Sequence, residues 1–193
     1  MGSSSNRRDA ILAATVPVVG HFGVGKTSVA DLAKAAGISK QGLYLHFDSK
    51  EQLIAEAMAR YFDEGLRQVA EALEQASVPL QERLVTALDA WFGRHLEHFR
   101  PDSLEVIERT SPVTSRVDGV KNEVLERLSK ALAGSDEMAR HTCTPDELAS
   151  VLFQFGLTWK EGHASRAAFE QTLTRCVHAC FPPAKKATKA RRR

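Results

Sequence analysis

The chain has 193 residues, 43% of them hydrophobic and 26% charged, and carries a formal net charge of +2. It can therefore bury a sizeable core, while the absence of any run of about 18 apolar residues excludes a membrane-spanning helix. Three cysteines, an odd number, argue against a disulfide framework, and the polar start MGSSSNRR lacks the apolar core of a secretion signal, so the expected compartment is the cytoplasm.

The first helix is read from Ile11, Leu12, Thr15, Val18, Val19 and Phe22, which keep helical spacing. Pro17 stands among them, with Gly20 three residues later. A proline in a helix interior removes a hydrogen bond and clashes with the preceding turn, costing roughly 3 kcal/mol, so this helix is expected to be kinked or interrupted.

Residues 27–52 then read as two short helices joined by a glycine turn, followed by a third capped start. Ser28 begins a capping signal with Asp31 three residues on, and Val29, Leu32, Ala33 and Ala36 form one apolar face. Gly37 suits a left-handed stop, and Ile38 can plug the space behind it. Ser39 caps a second helix from Lys40 to about Phe47, with Leu43 and Phe47 inward and Lys40, Gln41 and Tyr44 outward. Ser49 caps the next helix with Gln52 at the reciprocal position. Its first residue is Lys50, and a helix N-terminus beside a lysine is suited to hold a phosphate. This is a helix-turn-helix, the arrangement that lays a helix in the major groove of DNA. Lysine supplies charge, glutamine a bidentate amide for adenine, and tyrosine a donor to phosphate. The predicted DNA-facing set is Lys26, Thr27, Ser28, Ser39, Lys40, Gln41, Tyr44, His46 and Lys50.

Beyond it, Leu53, Ile54, Ala57, Met58, Tyr61, Phe62, Leu66, Val69 and Leu73 predict a long helix to about Gln75, ended by SVP at 77–79. Another helix is expected over 80–99, with Leu84, Leu88, Trp91, Phe92, His95 and Phe99 inward, and a shorter one over Ser103–Arg109. Val113, Val117, Val120, Val124, Leu128 and Leu132 trace a helix ended by Gly134. GSDEMARHTC reads as loop, and Thr144-Pro145-Asp146-Glu147 as a capped start. In the last two helices Leu148, Leu152, Phe155 and Trp159, and Phe169, Leu173, Cys176 and Cys180, step by three and four. Val151, Phe153 and Leu157 make the first apolar almost all round, which predicts burial on two sides and a two-fold interface with a second copy. Cys176 and Cys180 read as packing residues rather than a metal or redox pair. FPPAKKATKARRR reads as a disordered basic tail. Its six positive charges leave the rest of the chain near −4, so the remaining basic patches, Arg7, Arg8, Lys26, Lys34, Lys40 and Lys50, are local. That suits a DNA-reading end joined to a separate body.

A competing signal overlaps the first turn. Gly20 to Thr27, GHFGVGKT, fits the phosphate-binding loop G-x-x-x-x-G-K-[ST] at every position and follows the apolar TVPVV. A phosphoryl-transfer protein would hold phosphates and Mg²⁺ there. Against it, Pro17 would sit in the required central strand, and the rest of the chain lacks alternating strands and helices.

Thr27, Leu32, Ala33, Ala36, Gly37, Ile38, Ser39, Leu43, Tyr44, His46, Phe47, Ser49, Lys50 and Leu53 fall in the spacing of the tetracycline-repressor (TetR) family of bacterial transcription regulators, which the chain resembles over about residues 7–53. The resemblance implies an all-α fold: a helix-turn-helix domain over 1–52, a helical effector-binding and dimerisation domain over 53–181, and the tail 182–193. It implies a homodimer joined through its last two long helices, a palindromic double-stranded operator, an apolar small-molecule effector, no cofactor and no enzymatic activity. Trp91, His95, Phe99, Ile107, Phe155 and Trp159, large apolar groups around one polar side chain, are the effector-site candidates.

Overall fold

The computed structural model describes residues 2–100, 113–158 and 165–181, and every regular element among them is helical. The first, α1 (Gly2–Phe22), runs through Pro17 without interruption, contrary to expectation. Ala13, whose carbonyl loses its partner, is exposed, as is Pro17 itself. Water can serve that carbonyl, while Ile11, Leu12, Val16 and Val19 on the opposite face are buried. Gly23 ends the helix in the left-handed region (φ 77°), its N–H donating to the Val19 carbonyl at 2.8 Å.

Both bonds of the predicted capping box form at Ser28, opening α2 (Val29–Ala35), and Gly37 turns the chain at φ 65°. Next, α3 (Lys40–Tyr44) is capped by the Ser39 hydroxyl, which accepts from the Gly42 N–H at 2.9 Å. It stops three residues short of Phe47: the N–H groups of His46 and Phe47 both donate to the Leu43 carbonyl, tightening the end into a turn. Leu43 and Phe47 are nevertheless buried, as their spacing predicted.

The spine is α4 (Lys50–Glu74), which packs against α1 on one side and the body on the other. Ser49 caps it as expected, but the Gln52 side chain accepts from the Asp48 N–H rather than from that of Ser49. The predicted single helix over 80–99 is broken into α5 (Leu80–Leu88), a π-helical turn (Asp89–Gly93) and α6 (His95–His98). The wide turn brings Trp91 and Phe92 into the core together. Across it, the Asp89 carboxylate accepts from Arg166 at 2.7 Å, and a Cβ on Gly93 would lie 1.9 Å from that carboxylate.

The body is completed by α7 (Val113–Ala133), a 3₁₀ turn (Asp136–Arg140) inside the expected loop, α8 (Pro145–Leu157) and α9 (Arg166–Cys180). Helix α7 packs between α4 and α8 through Val120, Val124, Leu128 and Leu132. Helix α8 approaches the π turn so closely that a Cβ on Gly156 would meet the Phe92 ring at 2.0 Å. The capping box at Thr144 and Glu147 forms as read.

The proposed interface stripe needs correction. Leu148, Leu152, Phe169 and Leu173 are buried within the chain's own core, where α9 meets α5 and α8 meets α7. They are therefore not available to a second copy. The outward face of α8 carries Glu147, Ser150, Val151 and Gln154, with Phe155 half-buried beside them. Cys176 and Cys180 are half-buried free thiols, and burial pushes the Cys180 thiol up. Trp159, Ile107, the predicted helix over 103–109 and the tail lie outside the described residues.

Candidate nucleic-acid interface

The turn between α1 and α2 is held by local bonds. Thr27 is 2% exposed, and its hydroxyl donates to the Gly23 carbonyl at 2.7 Å. This corrects its place among the DNA-facing residues: it closes the turn. Its own carbonyl accepts from Lys50 Nζ at 3.2 Å, tying the start of α4 to that turn across 23 residues. Lys26 beside it is exposed. Ser28 is exposed too, but its hydroxyl serves the cap and, with the backbone, holds the Asp31 carboxyl below its ordinary range.

The phosphate-loop geometry is not built. TVPVV lies inside α1, not in a strand. Gly20 is a close-packing residue, where a Cβ would fall 1.9 Å from the His98 carbonyl oxygen. The Thr27 hydroxyl, which such a loop would give to Mg²⁺, is occupied. Among the described residues no group of three or more His, Cys, Asp or Glu could hold a metal ion.

On α3, Lys40, Gln41 and Tyr44 project to solvent together, with Tyr44 51% exposed, while Leu43 and Phe47 seal the opposite side. His46 is half-buried, and Ser39 is exposed but committed to its cap. Leu45, which the sequence reading passed over, is 81% exposed. Its signal was available: in Leu43-Tyr44-Leu45-His46-Phe47, inward Leu43 and Phe47 leave Leu45 facing out. Arg8 does not join this row; it pairs with Glu56 at 2.6 Å and lies over the Phe47 ring.

Three of the effector candidates gather in one place. His95 and Phe99 pack against Tyr61, whose hydroxyl is bonded to His95 Nδ1 at 2.8 Å, and Trp91 meets the His95 ring. Burial pushes the Tyr61 hydroxyl far above its usual range, and the Arg94 guanidinium, lying over its ring, partly offsets that. Phe155 does not belong to this group: Phe153 is the α8 residue that meets Phe92, at 4.9 Å. The cluster is a packed core. One open cleft lies beside it, of ≈ 280 Å³ between α1, α4 and α6, with Leu12, Val16, Ala57 and Tyr61 as its apolar lining and Arg60, Glu64, Arg94 and His98 as its polar lining.

Comparison with known proteins accords with this geometry. Residues 11–57 match the family described as bacterial regulatory proteins, tetR family. The chain is 36% identical over 172 residues to the transcriptional repressor DhaR of Mycobacterium sp. strain GP1, covering 83% of this chain and 85% of that one. The chain belongs to the TetR family. TetR proteins are DNA-binding transcription regulators rather than enzymes, so the phosphoryl-transfer alternative falls with its geometry. The repressor KstR2 of Mycolicibacterium smegmatis is 33% identical over 78 residues, a match that spans 40% of this chain and 38% of that one. The fold also resembles that of Escherichia coli NemR in its reduced form, with TM-score 0.71 and 19% identity over 89% of this chain and 95% of that one.

Proposed function

We propose that this TetR-family chain is a cytoplasmic, homodimeric repressor that releases a palindromic operator when a small apolar molecule binds its body. The observation that carries the DNA half is the exposed row Lys40, Gln41 and Tyr44 on a short helix sealed from behind. Residues 1–52 act as the reading head and 53–181 as the effector-binding and dimerising body. Two heads on one dimer would enter successive major grooves, about 34 Å apart. Dimerisation through the outward face of α8 and α9 is supported by Val151, an apolar side chain left 45% exposed there.

Support for an effector comes from the ≈ 280 Å³ cavity, which touches α1 of the head and α4 and α6 of the body. A ligand there weakens DNA binding only as far as it prefers the arrangement that separates the heads wrongly. Within the head, Gln41 reads a base while Lys26, Tyr44 and Lys50 hold phosphates. Ser39, His46 and Ser28 bring their helix starts and turns up to the backbone.

The test is selection of an operator from a random duplex library, followed by binding to single-base variants of it. Gln41→Ala is expected to lose about 1–3 kcal/mol of discrimination at one symmetric position. Lys26→Ala and Tyr44→Phe weaken specific and random DNA alike, and Lys26→Ala, which removes a charge, also flattens the salt dependence. A uniform loss for Gln41→Ala moves base reading to Lys40.

A further inference from the structure

Leu45 is the most exposed large apolar side chain among the described residues, and it sits on the element that faces DNA. Its N–H donates to the Gln41 carbonyl at 3.2 Å, so it lies one helical turn beyond Gln41 and on the same side. It caps the C-terminus of α3 with right-handed backbone (φ −72°), directly beside Tyr44. The position faces outward because Leu43 and Phe47 fill the space behind α3, so the fold does not call for an apolar residue there. An isolated apolar group gains nothing from water or from phosphate oxygens. On the base edges of the major groove, the apolar partner is the C5-methyl group of thymine.

We infer that Leu45 reads a thymine methyl in each half-site. This rests on the DNA-reading function proposed above and adds a residue and a base to it. Gln41 and Leu45 are four helical positions apart, about 6 Å along the axis, which corresponds to roughly two base steps. The methyl read by Leu45 therefore belongs to a thymine within about two base pairs of the adenine read by Gln41.

The experiment uses the full chain and the selected operator, with each thymine replaced in turn by deoxyuridine. That change removes only the methyl and leaves every hydrogen-bonding group in place. Binding of wild type and Leu45→Ala is measured by fluorescence anisotropy. The expected result is one symmetric thymine at which deoxyuridine weakens wild-type binding about fourfold per half-site, while Leu45→Ala binds both duplexes equally. If no thymine separates the two proteins in this way, or if Leu45→Ala keeps the wild-type methyl sensitivity, the inference is overturned. If the library enriches no sequence, the DNA-reading function fails and this inference with it. An unfolded variant does not confuse the outcome, because Leu45 contributes little to the core, and Leu45→Gln provides a second substitution that removes the apolar contact.

Discussion

Replacing Gly20 with alanine tests whether the head is locked to the body where α1 meets α6. A Cβ there would fall 1.9 Å from the His98 carbonyl oxygen and 3.0 Å from the Phe99 ring. The first contact is backbone, so no rotamer change relieves it, and the end of α6 must retreat by roughly 1 Å or more. The bond from the Arg100 N–H to the Gly20 carbonyl, 3.3 Å, would stretch with it. Alanine in a helix gains about 1 kcal/mol over glycine. Overpacking of this kind typically costs 1–3 kcal/mol, and a rigid backbone contact belongs near about 3. The net expectation is a loss of about 2 kcal/mol, or a melting temperature lower by roughly 4–8 °C for a chain of this size. Gly25→Ala is the control, since nothing lies within 4 Å of its Cβ position, and it should leave the melting temperature nearly unchanged. Thermal unfolding followed by circular dichroism gives both values. A Gly20→Ala protein that melts at or above the wild-type temperature would refute the close contact.

The two faces of α8 should respond differently to charge. Leu152→Arg buries an unpaired cation in the core and should prevent folding, whereas Val151→Arg should fold and yield monomers in light scattering. A Val151→Arg protein that remains dimeric places the interface elsewhere. Burial holds the His98 imidazole below 6.5, with Arg94 and Arg166 adding to that and Glu97 opposing it. The unfolded chain therefore takes up the proton first as pH falls. The contribution of His98 to stability is complete above 6.5 and is lost as pH drops through its folded-state value. Urea midpoints measured across that range should fall less steeply for His98→Gln, and an unchanged slope would exclude the effect.

What the sequence made legible was whatever is decided locally. The caps at Ser28, Ser39, Ser49 and Thr144 form because a hydroxyl at a helix entry reaches the N–H three residues on whatever the rest of the fold. The inward faces of α4, α5 and α7 followed from spacing alone. Pro17 was misjudged because its cost depends on whether the Ala13 carbonyl faces water, which spacing does not report. The π turn was invisible because the Arg166 that binds Asp89 lies 77 residues away. The stripe on α8 was read correctly as apolar, but a stripe has no label for its partner, and it faces this chain's own core. Lys40, Gln41 and Tyr44 are exposed on α3, as their spacing predicted. Thr27 was drawn in by its neighbours in the motif, although a small hydroxyl beside a left-handed glycine is as easily a turn closure.

The bond from Lys50 to the Thr27 carbonyl makes α4 a lever with its load attached at the tip. At 1.5 Å per residue the 25-residue helix is about 37 Å long. A tilt of roughly 5° about its body end carries the tip through about 3 Å, close to the rise of one base pair. Because Lys50 ties that tip to the turn before α2, α3 travels with it instead of lagging behind. In the proposed dimer the two displacements would add, so a small angular change driven by a ligand in the ≈ 280 Å³ cleft would put the second head out of step with its groove.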